Sequence, residues 1–239
     1  MAYSHVRLNT VELAPTQASI GGFEVMLKAD RFKLMNPTAV SGYLREKESK
    51  GKPVLVVKGL RRYFVVDGHH TLSAILKASQ PRELDIALHS DFSDAKTEDE
   101  FWQRMSQEGL LYERCLGVQV SPHDFPDKML ELVDDPFRSI AWLIRKMGAF
   151  EDLRQPYQEF RIADFLREHM AFSPLDFHEF ETACVRAYEL MRSHEAKRWA
   201  DEHGLPGMKK TDGKKPDDLV SIYYDVLTAV RRPRHYRRR

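Results

Sequence analysis

The residues best suited to chemistry form one continuous run, Asp67-Gly68-His69-His70-Thr71. An apolar segment, Tyr63 to Val66, precedes the run, and apolar residues at helical spacing follow it. This pattern predicts a strand, a turn and then a helix that begins within the run. Backbone N–H groups in the first turn of a helix lack intrahelical partners, and the helix dipole is positive there. We therefore expect an anion site at this corner, with phosphate as its ligand.

Each side chain of the run has a role in that site and a simpler alternative. Asp67 would organise Mg²⁺ or a water molecule, or would only stabilise the turn that it forms with Gly68. At least one of the two imidazoles is expected to line the site as a phosphate donor or an acid–base group. The Thr71 hydroxyl would donate to the same phosphate or would only fill the first helical turn. A transition-metal site is disfavoured, because the histidine pair lacks a third ligand. The candidate catalytic residues are Asp67, His69 and His70, the candidate metal ligand is Asp67, and the candidate cofactor-binding residues are Gly68 and Thr71.

Two residues outside the run are further candidates. Gln17 follows Pro15-Thr16, and its amide either takes part in catalysis or closes a turn. Arg138 lies at the start of a helix predicted after Asp134-Asp135-Pro136. Its guanidinium either reaches the site or stays exposed one turn after the capping aspartate. We add Gln17 to the catalytic candidates and Arg138 to the cofactor-binding candidates.

The segments around the run predict a compact α/β module over residues 1–92. Val54 to Val57 is a continuous apolar run, as expected of a strand buried on both faces. Asn36-Pro37 is typical of a helix cap followed by proline at the first helical position. The predicted order is β–α–α–β–β–α–β, with strands at His5 to Leu13, Val54 to Val57, Tyr63 to Val66 and Leu84 to Leu88, and with a break at Ala14 to Gln17.

Residues 93–230 predict a mostly helical region, and residues 231–239 predict a basic tail with six arginines. The clearest helix follows Asp134-Asp135-Pro136, carries an apolar stripe with Trp142 and ends at Gly148. The other predicted elements are helices at Thr97 to Met105, Pro156 to Met170, Asp176 to Ala200 and Asp217 to Val230, and a strand within Leu110 to Val120.

Composition limits the classes of function. The 239 residues are 42% hydrophobic and 31% charged, which is typical of a folded globular protein. The net charge of +1 restricts any nucleic-acid affinity to a local patch such as the tail. The two cysteines suggest no disulfide framework, and no apolar segment reaches the length of a membrane span. We expect a soluble cytoplasmic protein without a membrane partner.

The motifs resemble those of the ParB/sulfiredoxin fold, and most closely those of the family named putative ParB-like nucleases. Pro15-Thr16-Gln17, with Gly21 and Val25, resembles the first motif of that family, and Asp67-Gly68-His69-His70 resembles the second. Asp134 to Ser139, with Trp142, resembles a third. The resemblance implies an α+β protein, with a ParB/sulfiredoxin-like α/β module followed by a mostly helical part.

Proteins with this fold catalyse different reactions. The residues at the motif positions indicate which of those reactions this chain could perform. Sulfiredoxins need a cysteine after the motif glycine, where this chain has His69, so sulfinic reductase activity is excluded. Partition proteins bind a nucleoside triphosphate through arginines, where this chain has His70 and Thr71. Free serine kinases of this superfamily also carry Asp-Gly-His-His, on a site for nucleotide phosphates. They carry arginine where Thr71 stands and a carboxylate base where Gln17 stands, which would leave Glu24 as a substitute base.

The resemblance and the helix-terminus argument together predict a nucleotide-binding protein. The ligand would be ATP or ADP in preference to CTP, with Mg²⁺, and the reaction would be hydrolysis or phosphoryl transfer to a small molecule. One alternative is a nuclease or regulator that binds DNA or RNA through the α/β corner together with the basic tail. A tail that serves only solubility, and a catalytically silent scaffold, are further alternatives.

Overall fold

The computed structural model describes residues 3–80, 83–150, 157–172, 177–203 and 216–231. Contacts divide the chain into two compact units, one of Met1–Ile20 with Val25–Asp134 and one of Gly21–Glu24 with Asp135–Arg239. The predicted α+β class is confirmed, since a sheet-containing part precedes a helical part. The boundary predicted at residue 92 stays a prediction. The basic tail beyond residue 231 lies outside the described residues.

The first unit is built on a five-stranded mixed sheet. The described strands are β1 (Ser4–Asn9), β2 (Ala14–Pro15), β3 (Ser19–Ile20), β4 (Leu55–Lys58), β5 (Tyr63–Asp67), β6 (Glu83–Asp91), β7 (Arg114–Cys115), β8 (Val118–Gln119) and β9 (Val133–Asp134). The order across the main sheet is β1-β6-β4-β5-β2. Strands β3 and β9 form a parallel pair, and β7 and β8 form an antiparallel pair.

Helices flank this sheet and make up the described part of the second unit. They are α1 (Gly22–Lys33), α2 (Pro37–Ser49), α3 (His69–Lys77), α4 (Glu98–Gln107), α5 (Pro136–Met147), α6 (Gln158–His169), α7 (Phe177–Leu190), α8 (His194–Glu202) and α9 (Pro216–Arg231). Within the described ranges, every helix is too short or too polar to serve as a membrane span.

The central strands of the sheet are buried on both faces, as predicted. Successive side chains of a strand point to opposite faces, so Val56 and Val65 enter one core with α1, α2 and α3. Their neighbours Val57 and Phe64 enter a second core with Phe101 of α4. The sheet is therefore a layer between two groups of apolar side chains.

Two predictions for the first segment of the chain are wrong. The opening strand ends at Asn9, because the Asn9 side chain accepts the N–H of Val11 and starts a short 3-10 helix. The segment Ala14–Pro15 was expected to break the strand, but it pairs in parallel with β5 at the edge of the sheet. Proline is tolerated at an edge because no partner strand requires its missing N–H there.

The later helices follow the predicted pattern with two corrections. Asp135 caps α5 and Gly148 ends it in a left-handed conformation, as predicted. The predicted helix from Asp176 to Ala200 is two helices, because Ser193 accepts the N–H of Ala196 and begins α8. The strand predicted within Leu110 to Val120 is a short hairpin, whose turn has positive φ at Leu116 and Gly117.

Candidate functional site

The predicted corner is formed where β5 passes into α3, and we refer to residues 67–71 as the Asp67 corner. Gly68 is the N-cap of α3 and has a φ of +90°, which side chains with a Cβ rarely adopt. A Cβ added at Gly68 would lie 2.8 Å from Val54 of the neighbouring chain segment. Both backbone conformation and space therefore require glycine where the helix begins.

Asp67 presents its carboxylate to solvent while protein surrounds its other side. The N–H of Gly68 donates to its Oδ1 over 2.6 Å. Loss of hydration raises the pKa of Asp67, whereas the charge of Lys47, the Gly68 N–H, and the charges of Lys28 and Lys52 act to lower the same pKa. Three lysines from two helices and the segment after α2 thus act on one carboxylate.

Lys47 joins helix α2 to the Asp67 corner. Its Nζ donates to Oγ1 of Thr71 over 3.1 Å, and Thr71 is buried. Sequence reasoning did not identify Lys47 as a residue of the site. The signal was present, because Lys47 follows Leu44 by three residues and Val40 by seven and so lies on the buried stripe of α2.

His69 is buried, and its ring serves the backbone of the first motif. The N–H of Thr16 donates to His69 Nε2 over 3.2 Å, so Nε2 is the unprotonated nitrogen of a neutral ring. The hydroxyl of Thr16 donates to the carbonyl of Val65, and its carbonyl accepts the N–H of Tyr112. Thr16 is thereby fixed by three hydrogen bonds, a structural role that the sequence pattern did not reveal.

Gln17 and His70, the sequence neighbours of Thr16 and His69, differ in their surroundings. Gln17 is buried, and its Nε2 donates to the carbonyl of Ser19 over 2.7 Å, so its side chain closes a turn. His70 is half-buried at the second position of α3. The first unit therefore contains six of the seven candidate residues, and the hydrogen bond between Thr16 and His69 joins the first motif to the second.

Arg138, the seventh candidate, lies in the second unit and is 6% exposed. The alternative of an exposed guanidinium is therefore wrong. Its guanidinium forms an ion pair with Glu159, lies 3.8 Å from Glu24 Oε2 and covers the ring of Phe160. Arg145 pairs with the same Glu159. These charges form a buried network within the second unit.

The remaining residues of the third motif also build local structure. Asp135 accepts the N–H groups of Phe137 and Arg138, and both of its oxygens accept from Arg167 at 2.8 and 2.7 Å. Trp142 is buried, as predicted.

Gly21 of the first motif packs closely on the third motif. A Cβ at Gly21 would lie 2.9 Å from Oγ of Ser139, which accepts the N–H of Phe23. Close packing is the reason for glycine at this position.

The chemistry of the corner suits an anion better than a bare metal ion. In the described part of the chain, no group of three or more His, Cys, Asp or Glu side chains is arranged to hold a metal. Mg²⁺ is commonly bound by one or two carboxylates together with phosphate oxygens and water. Asp67, with lysines around it, would therefore supply a single ligand to Mg²⁺ that enters with a phosphate.

The similarity to known proteins extends over the segments that contain the candidate residues. The model of the family described as "Putative ParB-like nuclease" matches residues 6–168, a range that contains the Asp67 corner and Arg138. The crystal structure of protein Atu1540 from Agrobacterium tumefaciens is similar to this chain, with a TM-score of 0.68 and 30% sequence identity. That alignment covers 85% of this chain and 97% of the other. No curated protein matches the sequence.

Proposed function

Because the chain belongs to the ParB-like nuclease family, we propose that its Asp67 corner binds the phosphate groups of a nucleotide. The nucleotide is ATP or ADP in preference to CTP, and Mg²⁺ enters with it. The reaction is hydrolysis or phosphoryl transfer to a small molecule.

The observation that carries the proposal is the position of Lys47. Its ammonium group donates to Thr71 in the first turn of α3, and its charge opposes the rise in the pKa of Asp67 that burial causes. A cation and the positive end of a helix dipole therefore act at one place, which favours a group with several negative oxygens. The charges of Lys28 and Lys52 act on the same carboxylate and extend this field.

The candidate residues take distinct roles in this proposal. Asp67 holds Mg²⁺, which neutralises phosphate charge when it is bound, and Gly68 and Thr71 shape the phosphate site. His70 is the acid–base group, because it lies half-buried in the first turn of α3. His69 positions the first motif through Thr16. An amide is not a base and Gln17 is buried with its Nε2 on the Ser19 carbonyl, so Gln17 supports the first motif rather than accepting a proton.

Isothermal titration of the protein with ATP, ADP and CTP, each with Mg²⁺, tests the proposal. We expect Lys47→Gln to weaken ADP binding by about 10-fold or more, the effect of losing a charge-assisted hydrogen bond. Lys50→Gln is the matched control, because Lys50 caps the same helix, is exposed and pairs with Glu46. Absence of heat with all three nucleotides would contradict the proposal.

Replacement of Asp67 distinguishes a site that binds Mg²⁺ from one that binds phosphate alone. If Asp67 holds Mg²⁺, Asp67→Asn weakens ADP binding when Mg²⁺ is present. The same substitution strengthens ADP binding without Mg²⁺, because it removes a negative charge from the site. Equal weakening under both conditions would assign Asp67 a purely structural role.

A nucleic-acid partner is the second candidate function, favoured by the six arginines within residues 231–239. Cationic segments bind phosphate backbones with an affinity that falls steeply as salt rises. A gel shift across a salt series, with the whole chain and with residues 231–239 removed, tests it. Binding that disappears with the tail and survives Lys47→Gln would exclude the Asp67 corner from nucleic-acid recognition.

A further inference from the structure

A cavity lies in the first unit, between helix α2 and strands β1 and β6. Its volume is about 330 Å³, which is at the lower end of the range for small-molecule sites, roughly 300–1,000 Å³. The inner wall is apolar and well packed, since Leu44, Val54, Leu84 and Ile86 are all buried. None of the residues assigned to the Asp67 corner lines this cavity.

The rim of the cavity carries four ionisable side chains, three of which have partners. His5 Nε2 lies 2.9 Å from Glu48 Oε2, and Asp85 accepts from Arg7 over 3.3 Å. Among the residues that the structure describes, the guanidinium of Arg45 has neither a hydrogen-bond partner nor an ion-pair partner. Asp85 is thus matched by the charge of Arg7 and Glu48 by its contact with His5, which leaves the Arg45 guanidinium as the described rim group without a partner.

We propose that this cavity binds a small organic carboxylate with an apolar body. A guanidinium presents N–H groups in a fork that matches the two oxygens of a carboxylate, so Arg45 would hold the charged end of the ligand. The apolar wall would receive the hydrocarbon part, since burying each CH₂ group favours binding by about 0.8 kcal/mol. The site is independent of the proposed nucleotide function, because it shares no assigned residue with the Asp67 corner.

Titration of the whole chain with butanoate, hexanoate and octanoate, followed by NMR chemical shifts, tests the proposal. The matching neutral amides serve as ligand controls. We expect dissociation constants of about 1 mM or below for at least one acid, and affinity at least about 10-fold weaker for its amide. The shifted resonances should belong to residues of α2 and β6.

Three variants make the result specific. Arg45→Gln should weaken binding of the acid by about 10-fold, and Ser41→Leu should weaken it by filling the mouth of the cavity. Arg61→Gln, at an exposed arginine outside the cavity, should leave the affinity unchanged. The proposal is overturned if no acid binds at concentrations up to about 10 mM, if acid and amide bind alike, or if Arg45→Gln and Arg61→Gln behave alike.

Discussion

The N–H of Thr16 donates to Nε2 of His69 over 3.2 Å, so a residue of the first motif is fixed by the second. The two residues are 53 positions apart in sequence. The bond occupies one ring nitrogen of His69 and keeps the ring neutral. It explains why two adjacent histidines have different surroundings, with His69 buried and His70 only half-buried.

Replacement of His69 is expected to loosen the first motif. His69→Ala leaves the buried N–H of Thr16 without an acceptor and also leaves a cavity, so we expect a loss of about 2–4 kcal/mol in unfolding free energy. His69→Gln places an amide oxygen near the position of Nε2 and should retain more than half of that stability. Urea unfolding and hydrogen exchange of the Thr16 amide measure both effects.

The control for this prediction is His89→Ala on strand β6, where the histidine is exposed. It should change stability by less than about 0.5 kcal/mol. Equal exchange of the Thr16 amide in the wild type and in His69→Ala would contradict the assigned role.

Glycine at position 68 is expected to be required for space as well as for conformation. Gly68→Ala puts a Cβ 2.8 Å from Val54 at a φ of +90°. Gly109 also has a positive φ, +67°, but nothing lies within 4 Å of an added Cβ. We therefore expect Gly68→Ala to destabilise the protein by about 1–3 kcal/mol more than Gly109→Ala does, as measured by urea unfolding. Equal losses would show that conformation alone selects glycine at position 68.

The stability of the protein is expected to depend on pH in opposite ways through two aspartates. Burial raises the pKa of Asp67, so its ionisation costs folding free energy at pH 7 and costs nothing below its ordinary value of 3.8. Asp67→Asn should therefore stabilise the protein at pH 7, by less than about 1 kcal/mol because the carboxylate still reaches solvent. The gain should disappear as the pH falls below 3.8.

Asp91 provides the control of opposite sign. Hydrogen bonds from Ser93 and the ion pair with Lys58 lower the pKa of Asp91 to about 2. Asp91→Asn should destabilise the protein at pH 7, and the loss should diminish as the pH falls toward 2. Thermal unfolding at a series of pH values measures both variants. A stabilising Asp91→Asn or a destabilising Asp67→Asn at pH 7 would contradict the assigned environments.

The buried ion network of the second unit is expected to depend on Arg138. Arg138→Met leaves Glu24 buried without this cation, while Glu159 keeps Arg145, and breaking a buried pair typically costs about 3–5 kcal/mol. Arg186→Met, on the exposed face of α7, should cost less than about 0.5 kcal/mol. Urea unfolding compares the two variants. An ADP titration of folded Arg138→Met then tests the separate prediction that Arg138 binds the cofactor.

The sequence predicted the elements around the Asp67 corner because local signals specify them. The apolar run of β4, the Asn36-Pro37 cap and the glycine between β5 and α3 each act within a few residues. At Ala14–Pro15 the local signal gave a wrong prediction, a break in the strand. Pairing with β5 outweighs the low strand propensity of proline at this position. That pairing depends on a strand about fifty residues later, and no local pattern reports it.

The candidate site was less predictable because its charges meet through tertiary structure. Lys28, Lys47 and Lys52 act on Asp67 from positions that are 15 to 39 residues earlier in the chain. The sequence shows lysines on helices, but it does not show which of them approach a given carboxylate. Burial of Arg138 was missed for the same reason, since its partner Glu159 lies on another helix.

The most direct measurement is a crystal structure of the whole chain grown with ADP and Mg²⁺. We predict phosphate oxygens at the N-terminus of α3, within hydrogen-bonding distance of Lys47 Nζ, and Mg²⁺ bound to Asp67. A nucleotide bound elsewhere, with Lys47 and the first turn of α3 making no contact to phosphate, would contradict the central claim.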